Sequence, residues 1–164
     1  MREAGGLNLL ELSLRLFVIP LSVVSICFMV LDKEANNDYG SIRYSDISGL
    51  KYLVFLDAIT GGYALVSLVL ERICVTKIWI FYLTDQLLAY LMVTSFSSVA
   101  EFLYLAYNGN REVSWSEACS YYGKFCGRAA ASFAFHVMIL LCLCTLSPLS
   151  AYRYFSRFEA PSSP

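Results

Sequence analysis

The stretch Ile78–Val99, IWIFYLTDQLLAYLMVTSFSSV, is a long apolar run holding a single charge, Asp85. Wound as a helix at ~1.5 Å per residue it is about 33 Å long, the thickness of a bilayer's hydrocarbon core. A carboxylate at that depth is costly unless it is paired or hydrated, so Asp85 demands a partner. Three further runs have the same character: Leu9–Leu31, which contains Arg15, then Tyr52–Leu70 and Cys126–Leu149. The apolar residues fill these runs instead of forming one helical stripe, which excludes a soluble amphipathic bundle.

Composition agrees, with 58% hydrophobic and 15% charged residues among 164. The expected fold class is an all-α membrane protein, a four-transmembrane-helix up-down bundle in one domain over 1–164. Its spans are about 9–31, 52–70, 78–99 and 126–149. A cleaved leader is the rival reading of the first run, but Arg15 breaks the apolar stretch and no small-x-small cleavage site follows. Four spans place both tails on one side and the longer loops, Asp32–Lys51 and Asn108–Phe125, on the other. A net charge of −1 gives no reason to expect nucleic acid or another polyanion.

Orientation is not decided by basic residues, which divide evenly between the two sides. Cys119 and Cys126 share the second long loop, and their spacing suits either a hairpin disulfide or two free thiols. A disulfide requires an oxidising compartment and so favours cytosolic termini and two short extracellular loops.

With that topology the first and third spans run in the same direction. Arg15 and Asp85 then lie at matching depths, about 9–10 Å inside the edge nearest the termini by helical rise. An intramembrane ion pair between them is expected, with the fork of an arginine suited to a carboxylate. Glu11, four residues before Arg15 on the same helical face, is the alternative partner, and Arg15 is also near enough to the boundary to snorkel. Asp57 and His136 fall in a second layer roughly 20 Å from that edge. They suit a hydrogen-bonded packing contact, or alternatively, with Asp85, a proton path.

Small residues suggest where helices approach closely: Ala58 and Gly62 on span two, Ala130 and Ala134 on span four. These faces are expected to serve the bundle's own interior. Pro20 is expected to bend span one. No catalytic residue set, metal-ligand cluster or cofactor motif is apparent, and Cys142 and Cys144 point to different sides of a helix.

The segment Asp85–Gly109, DQLLAYLMVTSFSSVAEFLYLAYNG, is followed by Trp115-Ser116-Glu117-Ala118-Cys119 and Tyr122-Gly123-Lys124-Phe125-Cys126. Together with YSDISGLKYL at 44–53 and LSPLSAYR at 146–153, these segments resemble the plant Casparian strip membrane domain protein-like (CASP-like) family, and its second subgroup in particular. The resemblance covers nearly the whole chain. It implies a MARVEL-related, multi-pass plasma-membrane protein with cytosolic termini that self-associates and associates with relatives. The strip-forming members of the family build membrane platforms that recruit cell-wall-modifying enzymes. The family's helix-one arginine and helix-three aspartate map onto Arg15 and Asp85, and its outer-loop cysteines onto Cys119 and Cys126.

The expected function is therefore a noncatalytic scaffold without a cofactor. It would form homodimers, heterodimers and higher oligomers with CASP-like relatives in contact with membrane lipids. Trp115, Tyr121, Tyr122 and Phe125 would present an outer-loop interface to sister subunits or wall enzymes, or seat the loop at the membrane surface. The alternative is a small transporter or channel subunit using Asp57, Asp85 and His136.

Overall fold

A computed structural model describes residues 2–31, 33–36, 40–73, 78–110 and 116–155. Four helices dominate it: α1 (Arg2–Val30), α2 (Ser48–Ile73), α3 (Ile78–Asn108) and α4 (Gly123–Phe155). Each contains a segment long and apolar enough to cross a membrane, namely Leu9–Val30, Ser48–Leu70, Trp79–Asn108 and Gly123–Tyr152. The third span is longer than the sequence suggests, running past Val99 and Glu101 to Asn108. Glutamate is a good helix former, so its charge does not end the helix. The helix stops at Gly109, whose φ of 65° only glycine adopts readily and whose N–H closes on the Leu105 carbonyl at 2.8 Å. Pro20 sits inside α1, which continues as helix on both sides of it.

Side-chain contacts fix the order of the helices. Arg15 meets Ser67, and Ser25 meets Asp57, so α1 and α2 are antiparallel neighbours. Ser25 also meets Ser132, joining α1 to α4. Phe96 stacks on Phe133 at 5.3 Å between ring centroids, Gln86 bonds Ser147 and Asp85 bonds Ser150, which sets α3 antiparallel to α4. Tyr63 reaches Asp85, and Tyr52 reaches Thr94 at 3.0 Å, closing the ring between α2 and α3. The result is an up-down bundle in which α1 and α3 form one diagonal and α2 and α4 the other.

The first long loop carries a short antiparallel hairpin of β1 (Lys33–Asn36) and β2 (Gly40–Arg43), with Lys33 opposite Arg43 and Asn36 opposite Gly40. Ile42, Tyr44 and Ile47 fold back onto a cluster of Met29, Leu50, Leu53, Val99, Leu103, Phe125 and Ala129, which closes the loop end of the bundle.

Burial is inverted relative to a water-soluble protein. Leu16, Phe55, Leu87 and Leu141 are more than half exposed, whereas Ser25, Asp57, Ser67, Asp85, Ser95, Ser132 and His136 are fully buried. Hydrocarbon takes the place of water as the outer solvent, so apolar side chains face out and polar groups pair within.

The expected packing faces require correction. Ala58, Gly62 and Ala134 face outward and Ala130 is half-buried. Close approach is made instead by the neighbouring Gly61, where an added Cβ would lie 2.9 Å from Ser22 Cβ, together with the buried Ala64 and Ala129. One residue along a helix is a rotation of about 100° at ~3.6 residues per turn, so the Ala58–Gly62 step lies one face away from the interior.

Candidate functional site

Two polar centres occupy the bundle axis. The one nearer the termini is built on Arg15, which is 1% exposed. Its Nη2 donates to Asp85 Oδ2 at 2.9 Å and to Glu11 Oε1 at 3.1 Å, while Nη1 donates to Ser67 Oγ at 2.9 Å. The two partners weighed from sequence are therefore held simultaneously. The guanidinium also faces the Tyr63 and Phe81 rings, at 5.4 and 5.8 Å from their centroids, a cation–π arrangement that suits the weakly hydrated arginine head. Asp85 is equally well held: the Tyr63 hydroxyl donates to Oδ1 at 2.7 Å and the Ser150 hydroxyl to Oδ2. All four helices thus contribute to one cluster, and its central contact spans the α1–α3 diagonal. Ser67, Tyr63 and Ser150 were not singled out from sequence. The available signal was that serines recur on the helical face of the charged residues.

The second centre braces the other diagonal. His136 Nδ1 lies 2.7 Å from Asp57 Oδ1, linking α4 to α2. Ser25 Oγ donates to Asp57 Oδ2 at 2.5 Å and sits 3.0 Å from Ser132 Oγ, which itself donates to the Ser25 carbonyl at 2.9 Å. The pairing of Asp57 with His136 expected from equal depth is therefore formed, and Ser25 and Ser132 are its unforeseen supports. Each buried hydroxyl and carboxylate oxygen in this group gains a partner that lipid would not supply.

A mostly apolar layer, interrupted by the buried Ser22 of α1 and Thr60 of α2, separates the two centres. On α1, Val18 lies between Arg15 and Ser25; on α3, Leu88 and Met92 follow Asp85; on α4, Ile139, Leu143 and Leu146 lie between His136 and Ser150. These residues join Leu56 and Ala64 of α2 in one buried cluster. Among the described residues Asp57 and His136 share no hydrogen-bond partner with Asp85.

At the loop end Cys119 and Cys126 are joined in a disulfide, with Cα atoms 5.6 Å apart. Of the aromatic residues expected to form an outer interface, Trp115 lies outside the described residues. Phe125 must be withdrawn, since it is 1% exposed. It occupies the first turn of α4 on the stripe that continues through Ala129 and Ser132, so helical phase turns it inward. Tyr122 is half-buried against the same cluster. Tyr121 alone of the three described residues is open to the outside, beside a polar cleft lined by Asn108, Asn110, Glu117 and Ser120. Opening the disulfide by Cys119→Ser with Cys126→Ser is expected to destabilise the loop end by about 2–3 kcal/mol through loop-closure entropy. Proteolysis should register it as faster cleavage between 109 and 122, with the helical spans still protected.

Comparison with known proteins adds a second line of information. The Casparian strip membrane protein domain matches residues 4–142. A CASP-like protein 2D1 from Populus trichocarpa is 53% identical over 160 residues, covering 96% of this chain and 94% of the relative. The corresponding protein of Oryza sativa subsp. indica is 44% identical, covering 98% and 81%. A CASP-like protein 2A1 from Sorghum bicolor is 40% identical, covering 98% and 78%. No solved structure matches the chain.

Proposed function

Because this chain belongs to the CASP-like family of plant membrane proteins, within its second subgroup, we propose that it is a noncatalytic plasma-membrane scaffold that assembles through its outer helix faces. The observation that carries this reading is the outward Ala58–Gly62 step on α2. An added Cβ at Gly62 meets nothing within 4 Å, so the bundle's own packing makes no use of this small residue. In lipid, small-xxx-small faces let two helix backbones approach closely, and van der Waals contact then drives association. A second copy of the chain or a CASP-like relative is the fitting partner.

The Cys119–Cys126 disulfide supports placing the loop end outside the cell and both termini in the cytosol, since such bonds persist in oxidising compartments. In that orientation the cleft beside Tyr121 faces the cell wall, where wall-modifying enzymes would dock. The mostly apolar layer between the two polar centres, which share no hydrogen-bond partner, favours a structural role for them over transport.

Single-molecule photobleaching of a fluorescent fusion in plant plasma membrane tests the assembly. Multi-step bleaching and slow lateral diffusion are expected. Gly62→Leu should shift the population toward single steps, because a large side chain holds the helices apart. A freely diffusing monomer in the unaltered protein would falsify the scaffold reading.

A further inference from the structure

We propose that the middle of the bundle is a water-binding site, in which one water molecule is held by His136 Nε2 and Ser95 Oγ. Both side chains are fully buried, and neither of these atoms has a hydrogen-bond partner within the protein. His136 Nδ1 is committed to Asp57 at 2.7 Å, so the ring cannot turn to satisfy Nε2 without abandoning that contact.

The helix register brings the two orphaned atoms into the same layer. Gln86 opposite Ser147 and Phe96 stacked on Phe133 fix the alignment of α3 with α4, which places Ser95 within about one helical turn of His136. Thr60, on the buried face of α2 one turn from Asp57, adds a third hydroxyl without a protein partner. A buried polar atom left unsatisfied costs about 1–3 kcal/mol, and three in one apolar interior are hard to sustain. One internal water typically makes about three hydrogen bonds, which matches this set.

The proposed water fits one hydrogen-bond arrangement in particular. In it Asp57 accepts from Ser25 Oγ and, with the His136 proton on Nδ1, from that N–H as well. His136 Nε2 is then a bare acceptor, to which the water donates one hydrogen. The same water accepts the Ser95 hydroxyl and directs its second hydrogen at Thr60 Oγ1. The titratable group facing His136 from α2 is Asp57, while the hydroxyls of this layer come from Ser25 of α1, Thr60 of α2, Ser95 of α3 and Ser132 of α4. The water thus completes the brace on the α2–α4 diagonal, without requiring a channel to the other polar centre.

The chain contains one histidine, so histidine-specific 15N labelling reports on this site alone. Solid-state NMR of the full-length protein in lipid bilayers is expected to show a neutral ring protonated at Nδ1, with magnetisation transfer from water to Nε2. Ser95→Ala should reduce that transfer at least about twofold, because the water loses one of roughly three bonds. Asp57→Asn should remove the preference for the Nδ1–H tautomer, a change that loss of packing by itself does not cause. A proton on Nε2 in the unaltered protein, or no transfer from water, overturns the proposal. Transfer undiminished in a folded Ser95→Ala variant overturns the assignment of Ser95.

Discussion

Arg15→Met is expected to lower the stability of the bundle by about 3–5 kcal/mol, the cost of breaking a buried ion pair by removing one partner. Two carboxylates converge on this guanidinium, Asp85 at 2.9 Å and Glu11 at 3.1 Å, and both lose this contact at once. Arg15→Lys should recover only part of the loss. An ammonium is a point charge and cannot reproduce a fork that sends Nη1 to Ser67 and Nη2 to the two acids. Asp85→Asn should cost less than Arg15→Met, about 1.5–3 kcal/mol for a lost charged hydrogen bond, because an amide oxygen can still accept from Tyr63. Glu11→Gln should cost least, since Glu11 lies nearest the end of the span and Arg15 keeps Asp85. Unfolding in mixed detergent–lipid micelles gives the ranking. A double-mutant cycle should find stronger coupling of Arg15 to Asp85 than to Glu11. Coupling near zero for both pairs would show that neither carboxylate holds the guanidinium.

Depth was readable from the sequence because helical rise is fixed once a span is identified. Arg15 and Asp85 matched in height and do meet, as do Asp57 and His136. Rotational phase was much less readable. Fully apolar runs carry little amphipathic signal, so neither face of α2 announces itself as interior. That is why small-residue spacing points inward at Ala58 and Gly62 whereas Gly61 makes the close contact. Phe125 failed for a related reason, since its direction depends on α4 beginning at Gly123 instead of at Cys126. The supporting hydroxyls of Ser67, Ser150, Ser25 and Ser132 also needed phase, because a serine in a transmembrane run is equally at home bonded to its own helix.

The adjacent glycines of α2 turn this distinction into opposite expected outcomes. At Gly61 an added Cβ would lie 2.9 Å from Ser22 Cβ and 3.2 Å from Ser22 Oγ. Ser22 Cβ is fixed to the α1 backbone and cannot swing aside, so Gly61→Ala must push α1 and α2 apart. The strain falls between the Ser25–Asp57 and Arg15–Ser67 contacts and loosens both polar centres. Overpacking of this kind is expected to cost about 1–3 kcal/mol, and Gly61→Leu more. Gly62→Ala meets no neighbour and should stabilise the monomeric bundle by about 0.5–1 kcal/mol, the helix preference of alanine over glycine. The decisive comparison is Ser22→Gly combined with Gly61→Ala, which moves the Cβ from one helix to the other and restores the clearance. Measured by the same unfolding assay, the pair should recover most of what Gly61→Ala loses, apart from the cost of a new glycine in α1. If it recovers nothing, the α1–α2 crossing does not depend on this contact. The bundle's two diagonal braces would then be set by their own hydrogen bonds and not by how closely these helices approach.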